Sequence, residues 1–393
     1  MKVIAFYLPQ FHTIPENDEW WGKDFTEWVN VRKAEPLFEG HQQPRVPKGE
    51  NYYNLLNPQV QAWQAQLARE AGVYGFCYYH YWFNGKLLLE KPMENMLADP
   101  SIDIPFCISW ANEAWTKAWV NENQVLIPQH YGQKKEWKEH FDYLLPFFQD
   151  PRYIKNDNRP LLIIYRPEVI GCLNEMLDYW QELAREAGFD GLYLGHQYAG
   201  LDLIDGADDS RFQFDIEFQP IYGRFPKVAP GIKSKLFNAA AQVKRKTFAA
   251  YEKATGVDLD RKIGNRAERS TGPEQYSYDE VWERILTSDP VSPKSVPGGF
   301  VAWDNTPRKG RNGTVSVGAC PERFREYMAR QIERAKDVYH SDYIFLTAWN
   351  EWAEGSYLEP DETFGDGYLR ALESALEETG EMPQGYGRKE EQA

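Results

Sequence analysis

Short apolar runs recur along the chain at residues 3–8, 73–79, 105–110, 161–165, 192–196, 214–218, 299–303 and 343–349. Their β-branched and aromatic content, with turn-forming residues beyond, predicts eight buried strands. Amphipathic stretches with helical spacing lie between several of them: Pro58 to Ala71 before the second run, Lys134 to Phe148 before the fourth and Asn174 to Ala187 before the fifth. Strands that alternate with helices predict a parallel sheet of the α/β class. A doubly wound open sheet would alternate in the same way, but no Gly-x-Gly-x-x-Gly follows any run and no Walker-type Gly-Lys-Ser/Thr is present. The expected fold is therefore a single (β/α)8 TIM-type barrel.

Two segments exceed an ordinary connection, residues 9–57, rich in Trp, Pro and His, and residues 219–298, which include a basic helix-like stretch from Lys235 to Tyr251. They are expected to be long loop insertions after strands 1 and 6, laid over the barrel mouth. Residues 1–377 then form one catalytic barrel domain, with an insertion at about 219–298. Residues 378–393, with Gly, Pro, Gln and charges, form a tail expected to be disordered.

Composition narrows the partner. A net charge of -15 argues against a nucleic-acid or anionic-membrane surface, both of which need clustered Lys and Arg. The 14 tryptophans, 24 tyrosines and 21 phenylalanines fall often at strand ends rather than along one helical stripe. Aromatic rings there suit the apolar C–H faces of sugars. Cys77, Cys107, Cys172 and Cys320 lack metal-ligand spacing and read as reduced structural thiols. No leader-like segment opens the chain and no apolar run reaches the roughly twenty residues of a membrane-spanning helix, so the expected location is cytoplasmic, without membrane insertion.

Candidate chemistry concentrates in Trp349-Asn350-Glu351-Trp352-Ala353-Glu354-Gly355, directly after the last apolar run. A Glu-x-x-Glu pair is commonly the solvated first turn of a helix, where the dipole favours acids. Here Trp349 and Trp352 are costly to expose, Asn350 is polar at a buried strand's end, and Gly355 permits tight backbone geometry. Side chains at i and i+3 lie about 5–6 Å apart at Cβ, close enough to flank one sugar. Adjacent carboxylates resist joint ionisation, which leaves a proton for a leaving oxygen. Glu351 and Glu354 are thus the candidate catalytic residues.

The other strand ends supply Tyr7, Gln10 and His12; Tyr79, His80, Tyr81 and Trp82; Trp110, Asn112 and Glu113; Tyr165; His196; Glu217; and Trp303, Asp304 and Asn305. With Trp349, Asn350 and Trp352 they form the expected substrate-binding set. Polar groups interleaved with rings suit an oligo- or polysaccharide, each hydroxyl needing a partner and each apolar face a platform. Any single histidine here is equally readable as a satisfied buried imidazole. No His-x-x-x-His, Cys-x-x-Cys or calcium-loop spacing appears, so neither a metal nor a cofactor is expected. No Gly-x-Ser-x-Gly elbow supports a serine hydrolase. Asp258-Leu259-Asp260, the one Asp-x-Asp, lies inside the long insertion and reads as a turn or helix start.

The chain resembles the WbsX-like family and, through it, glycoside hydrolase family 99 of endo-α-mannosidases and mannanases. The resemblance is carried by Ala5-Phe6-Tyr7-Leu8-Pro9-Gln10-Phe11-His12, Trp20-Trp21-Gly22-Lys23-Asp24-Phe25-Thr26-Glu27-Trp28 and Gly75-Phe76-Cys77-Tyr78-Tyr79-His80-Tyr81-Trp82-Phe83. It continues through Trp110-Ala111-Asn112-Glu113, Trp303-Asp304-Asn305-Thr306 and the Trp349 to Gly355 segment. It implies a β/α barrel and a Glu-x-x-Glu in which Glu351 takes the proton of the sugar 2-hydroxyl. That oxygen attacks the anomeric carbon to give a 1,2-anhydro sugar, while Glu354 serves as acid and then base. Ala353 stands where family 99 often has His.

Three readings follow. The first is a retaining glycoside hydrolase on an α-linked, mannan-like or bacterial polysaccharide, with internal cleavage one option. The second is a glycosyltransferase of polysaccharide (O-antigen) biosynthesis, which a nucleotide-sugar would stabilise. The third is a non-catalytic glycan-binding barrel, whose binding would survive loss of both glutamates. Glu113 and Glu217 are the rival carboxylates.

Overall fold

The structure is a computed structural model describing residues 1–116, 125–198, 209–225 and 272–388. The strands are β1 (Lys2–Tyr7), β2 (Val73–Phe83), β3 (Phe106–Trp110), β4 (Arg159–Ile164), β5 (Tyr193–His196), β6 (Phe214–Ile216), β7 (Ser295–Val296), β8 (Gly298–Phe300) and β9 (Tyr343–Thr347). All pair in parallel in the order β7-β6-β5-β4-β3-β2-β1-β9-β8. The ends meet at Pro297: the Val296 carbonyl accepts from Glu217 N at 3.0 Å on one side, and the Pro297 carbonyl accepts from Phe345 N at 3.1 Å on the other. β7 and β8 are thus one course of chain interrupted by a residue with no N–H to donate, and the sheet closes as a (β/α)8 barrel. Gly298 permits that closure, since a Cβ there would sit 2.2 Å from the Glu217 carbonyl oxygen.

Parallel strands covered on both faces need continuous apolar runs, and β1, β3, β4 and β9 are buried along nearly their whole length. Helices α1 (Pro58–Glu70), α2 (Lys134–Gln149), α3 (Leu173–Glu186), α4 (Tyr278–Thr287), α5 (Pro321–Asp337) and α6 (Gly367–Glu378) supply the outer layer. The first three match the amphipathic stretches read from the sequence to within a residue at either end. Asn57 caps α1 by accepting from Gln59 N at 3.1 Å, and Ser277 caps α4 by accepting from Glu280 N at 3.2 Å.

Three expectations need correction. The seventh apolar run, placed at 299–303, is the β7–β8 course, because residues beyond Phe300 leave the sheet; the preceding connection ends at residue 294. Within that connection α4 packs on the barrel, with Trp282 fully buried and stacked on Phe300 at 5.3 Å. The tail does not fray where it is described. Tyr386 donates to the Tyr74 carbonyl at 2.9 Å, Gly387 N donates to the Arg69 carbonyl at 3.0 Å, and Glu381 pairs with Lys336. The basic stretch Lys235 to Tyr251, Asp258-Leu259-Asp260 and residues 389–393 lie outside the described residues. No described helix is long and apolar enough to cross a membrane.

Candidate active site

Beyond β9 the chain turns back on itself: Asn350–Glu351 pairs antiparallel with Ser356–Tyr357 around a 3-10 turn, Trp352–Glu354. Gly355 closes the turn at φ 61°, in the left-handed region, where a Cβ would also press to 2.8 Å from Asp304 Cβ. Three bonds anchor the hairpin to neighbouring strand ends. Asn350 accepts from Leu8 N at 2.7 Å and donates to the Leu8 carbonyl at 3.0 Å, while Asp304 N donates to the Glu354 carbonyl at 2.6 Å.

This geometry aims Glu351 and Glu354 into one cavity of about 340 Å³, lined also by Tyr79, Tyr81, Trp115, Tyr165, Tyr198, Phe218, Trp303 and Arg308. Arg308 sits on the short helix Thr306–Lys309 with its side chain only 7% exposed. Its Nη1 donates to Glu354 at 2.6 Å and its Nη2 to Glu351 at 3.2 Å. Behind it, Nε donates at 2.9 Å to Glu27, which is fully buried. Burial pushes the Glu351 carboxyl up to about 8, with the Glu354 charge adding to the rise and Arg308 opposing it. Arg308 remains cationic: burial disfavours its charge, and Glu27, Glu354 and Glu351 together outweigh that cost. A protonated carboxyl beside a second, more exposed one can hold and exchange a single proton.

Of the expected substrate-binding residues, Tyr79, Tyr81, Glu113, Tyr165 and Trp303 line the cavity. Gln197 donates to the Tyr79 hydroxyl at 2.9 Å, and the Tyr165 and Tyr198 hydroxyls lie 2.9 Å apart. Glu113 is ion-paired with Arg166 at 2.6 Å.

The rest are placed elsewhere by the barrel. Tyr7 donates to Gln64 at 2.7 Å, and His80 meets His140 at 2.9 Å, with Trp82 stacked on that imidazole at 4.6 Å and Trp110 edge-on at 4.8 Å. Asn112 clamps the backbone of Arg166, and His196 faces Asp215 at 3.3 Å. Glu217 accepts from Tyr339 and from Val291 N, each at 2.8 Å. Asp304 accepts from Gln43 at 2.6 Å and pairs with His41 at 2.8 Å, and Asn305 accepts from Thr314 N at 2.8 Å. Trp349 packs on Phe76, Trp352 donates to Glu359 at 2.6 Å, and Gln10 and His12 are buried off the cavity lining. The physical reason is the period of two along a strand: Tyr79 and Tyr81 of β2 face inward, so His80 and Trp82 must face α2. Proximity to a strand's end selects no face.

Arg308, Glu27, Trp115, Tyr198 and Phe218 were not among the expected site residues. Glu27 lies within the aromatic segment Trp20 to Trp28, and Arg308 follows the Trp303 to Thr306 segment by two residues. Those positions were the available signals. No group of three or more His, Cys, Asp or Glu among the described residues is arranged to hold a metal.

Comparison with known proteins places this chain in a family. Protein WxcX of Xanthomonas campestris pv. campestris strain B100, described as uncharacterized, is 36% identical over 377 residues, 95% of this chain and 49% of the relative. WxcX of strain ATCC 33913 matches equally. The chain therefore spans about half the length of the curated relatives it matches. Among solved structures, the GH99 endo-alpha-mannosidase from Bacteroides thetaiotaomicron aligns with a TM-score of 0.50 at 14% identity, over 97% of this chain and 98% of that one. A glycoside hydrolase-like protein aligns at 0.52 and 12% identity, over 95% and 93%. Such identities show a shared fold. The family described as Glycosyltransferase WbsX matches residues 3–372, and this chain belongs to it.

Proposed function

We propose that this chain is a retaining glycoside hydrolase acting on an α-linked glycan, mannan-like or bacterial, with Glu351 and Glu354 as its reacting carboxyls. Family membership and a barrel shared with a GH99 endo-alpha-mannosidase support action on glycans. The observation that carries the reading is one guanidinium touching both glutamates in a cavity walled by tyrosine and tryptophan. Contact with a single planar fork keeps the two carboxyls within roughly 8 Å of one another, in the range of glycosidase pairs.

In the resemblance to family 99, Glu351 receives the proton of the sugar 2-hydroxyl and Glu354 protonates the departing oxygen. At neutral pH a value of about 8 leaves the proton on Glu351. The division of labour therefore requires that proton to pass to Glu354 as substrate enters. A 2-hydroxyl donating to Glu351 and a glycosidic oxygen accepting from Glu354 would favour that arrangement. The 2-oxygen then closes on the anomeric carbon as the leaving group departs with the proton, and water opens the 1,2-anhydro sugar with Glu354 as base while Glu351 returns its proton to the 2-oxygen.

A hydrolysis screen of the purified chain against α-mannan and bacterial O-polysaccharides tests this, with Glu351→Gln and Glu354→Gln as controls. Release by the wild type, lost in both variants, is expected. Substrates with activated leaving groups assign the roles: they restore turnover to Glu354→Gln and not to Glu351→Gln, and the reverse pattern would exchange them. The family's description favours a second reading, a polysaccharide glycosyltransferase. Against it, three carboxyl groups surround Arg308, the one cation among the described residues lining the cavity, which is poor company for a diphosphate. Silence across the glycan panel with thermal stabilisation by a nucleotide-sugar would favour the transferase.

A further inference from the structure

Glu27 does not line the cavity, yet it is the most deeply buried of the three carboxyls around Arg308. Its Oε2 accepts from both Nε and Nη2 of Arg308, at 2.9 and 2.8 Å, and its Oε1 accepts from Asn30 at 3.2 Å. Its backbone N–H donates to the Gln10 carbonyl at 3.1 Å, which ties the helix Glu27–Arg32 to the segment leaving β1. An Arg held by two of its nitrogens cannot swing, so its remaining contacts are fixed in direction. They are unequal, 2.6 Å to Glu354 and 3.2 Å to Glu351.

We infer that Arg308, anchored by Glu27, is a positioning residue that sets how tightly Glu351 holds its proton. This rests on the hydrolase reading above only for its catalytic consequence. The anchored guanidinium thus lies closer to Glu354 than to Glu351, which leaves Glu351 with the weaker share of its charge. Charges facing Glu351 come from four directions: Glu354 on its own turn, Arg308, Glu27, and the hydroxyls of Tyr79 and Tyr81 on β2. Glu27 acts with both signs. It repels a Glu351 anion directly, and it draws Arg308 back from the pair.

Opposite effects follow from the two partners, and they separate this role from a merely structural one. Without the guanidinium the Glu351 anion loses its countercharge, so its titration moves upward. Without the Glu27 charge the guanidinium belongs wholly to the pair, so the titration moves downward. Loosened packing would instead admit water in both variants and move both downward, toward an ordinary carboxyl.

The experiment is a carboxyl carbon-13 NMR titration of the free chain, with Glu351→Gln to assign the signal. Arg308→Gln is expected to raise the Glu351 midpoint by about one unit or more and Glu27→Gln to lower it comparably. Arg308→Lys, which keeps the charge, is expected to lie nearer the wild type. Shifts of one sign in both variants, or none, would overturn the proposal. Should Arg308→Gln fail to fold, Arg308→Met, which also removes the charge, takes its place: an unchanged or lowered midpoint there overturns the proposal. Hydrolysis assays on the same samples keep the two ideas apart. Opposite shifts in a chain without turnover uphold the role of Arg308 and Glu27 and remove the hydrolase reading, whereas turnover without shifts does the converse.

Discussion

Tyr79 and Tyr81 differ from His80 and Trp82 only in the parity of their positions on β2, yet the two pairs live in different chemistry. The tyrosines are half-buried and line the cavity that holds Glu351 and Glu354. The other pair is buried against α2, where Trp82, His80, His140 and Trp110 pack ring on ring. Burial pushes the His80 imidazole down to about 3, so it stays neutral there. A rim rich in His, Trp and Tyr therefore contains two populations, one lining the cavity and one completing the barrel's outer core. Incomplete burial, rather than polarity, marks the first.

The largest expected effect is on the carboxyl pair itself. Glu351→Gln and Glu354→Gln should each reduce kcat by about 10²–10⁴ on unactivated glycans, with little change in melting temperature. Steady-state kinetics beside thermal unfolding check this, and retained activity in either variant would end the assignment. Glu113→Gln sharpens it, because a matching loss there would move the chemistry to the cavity mouth.

On the outward face the balance reverses. Trp82→Ala should cost about 3–5 kcal/mol of stability and leave kcat per folded molecule unchanged. Tyr81→Ala should barely alter stability and raise KM close to fivefold, corresponding to about 1 kcal/mol of lost stacking. If both variants lose stability and affinity together, the parity distinction between the two faces is false.

Acidity gives a third contrast. The pair must retain one proton, so kcat/KM should fall as pH rises through about 8, where Glu351 ionises. For stability the sign is the same. A carboxyl whose folded value lies above its unfolded one contributes stability that is complete below the unfolded value and lost as pH rises through the folded one. Melting temperature should therefore fall from about pH 4.5, the unfolded value, to just above pH 8, the folded one, less so in Glu351→Gln. Glu359, pushed up to about 7 by burial against the donors Trp352, Gln64 and Tyr53, adds a loss of the same sign and leaves a residual slope in that variant. The smallest effect is expected for Tyr79→Phe, which removes one internal hydroxyl bond to Gln197, about 1 kcal/mol of stability, read as a small drop in melting temperature with KM nearly unchanged.

The strand-and-helix alternation was legible because parallel strands buried on both faces require unbroken apolar runs, as at Ile344, Phe345 and Leu346, whatever lies around them. So was the pairing of Glu351 with Glu354, a local matter of spacing within one turn. Tertiary structure decided the rest. Closure of the barrel at Pro297 chose which side of each strand faces inward, sending His80, Trp110 and His196 into the packing and Tyr79 and Tyr165 to the cavity. It also brought Glu27 and Arg308, 281 positions apart, into contact behind the glutamates. Apolar periodicity is a local property of a chain and survives in its order of residues. A charge's partner is set by distance in space, which exists only once the barrel has closed.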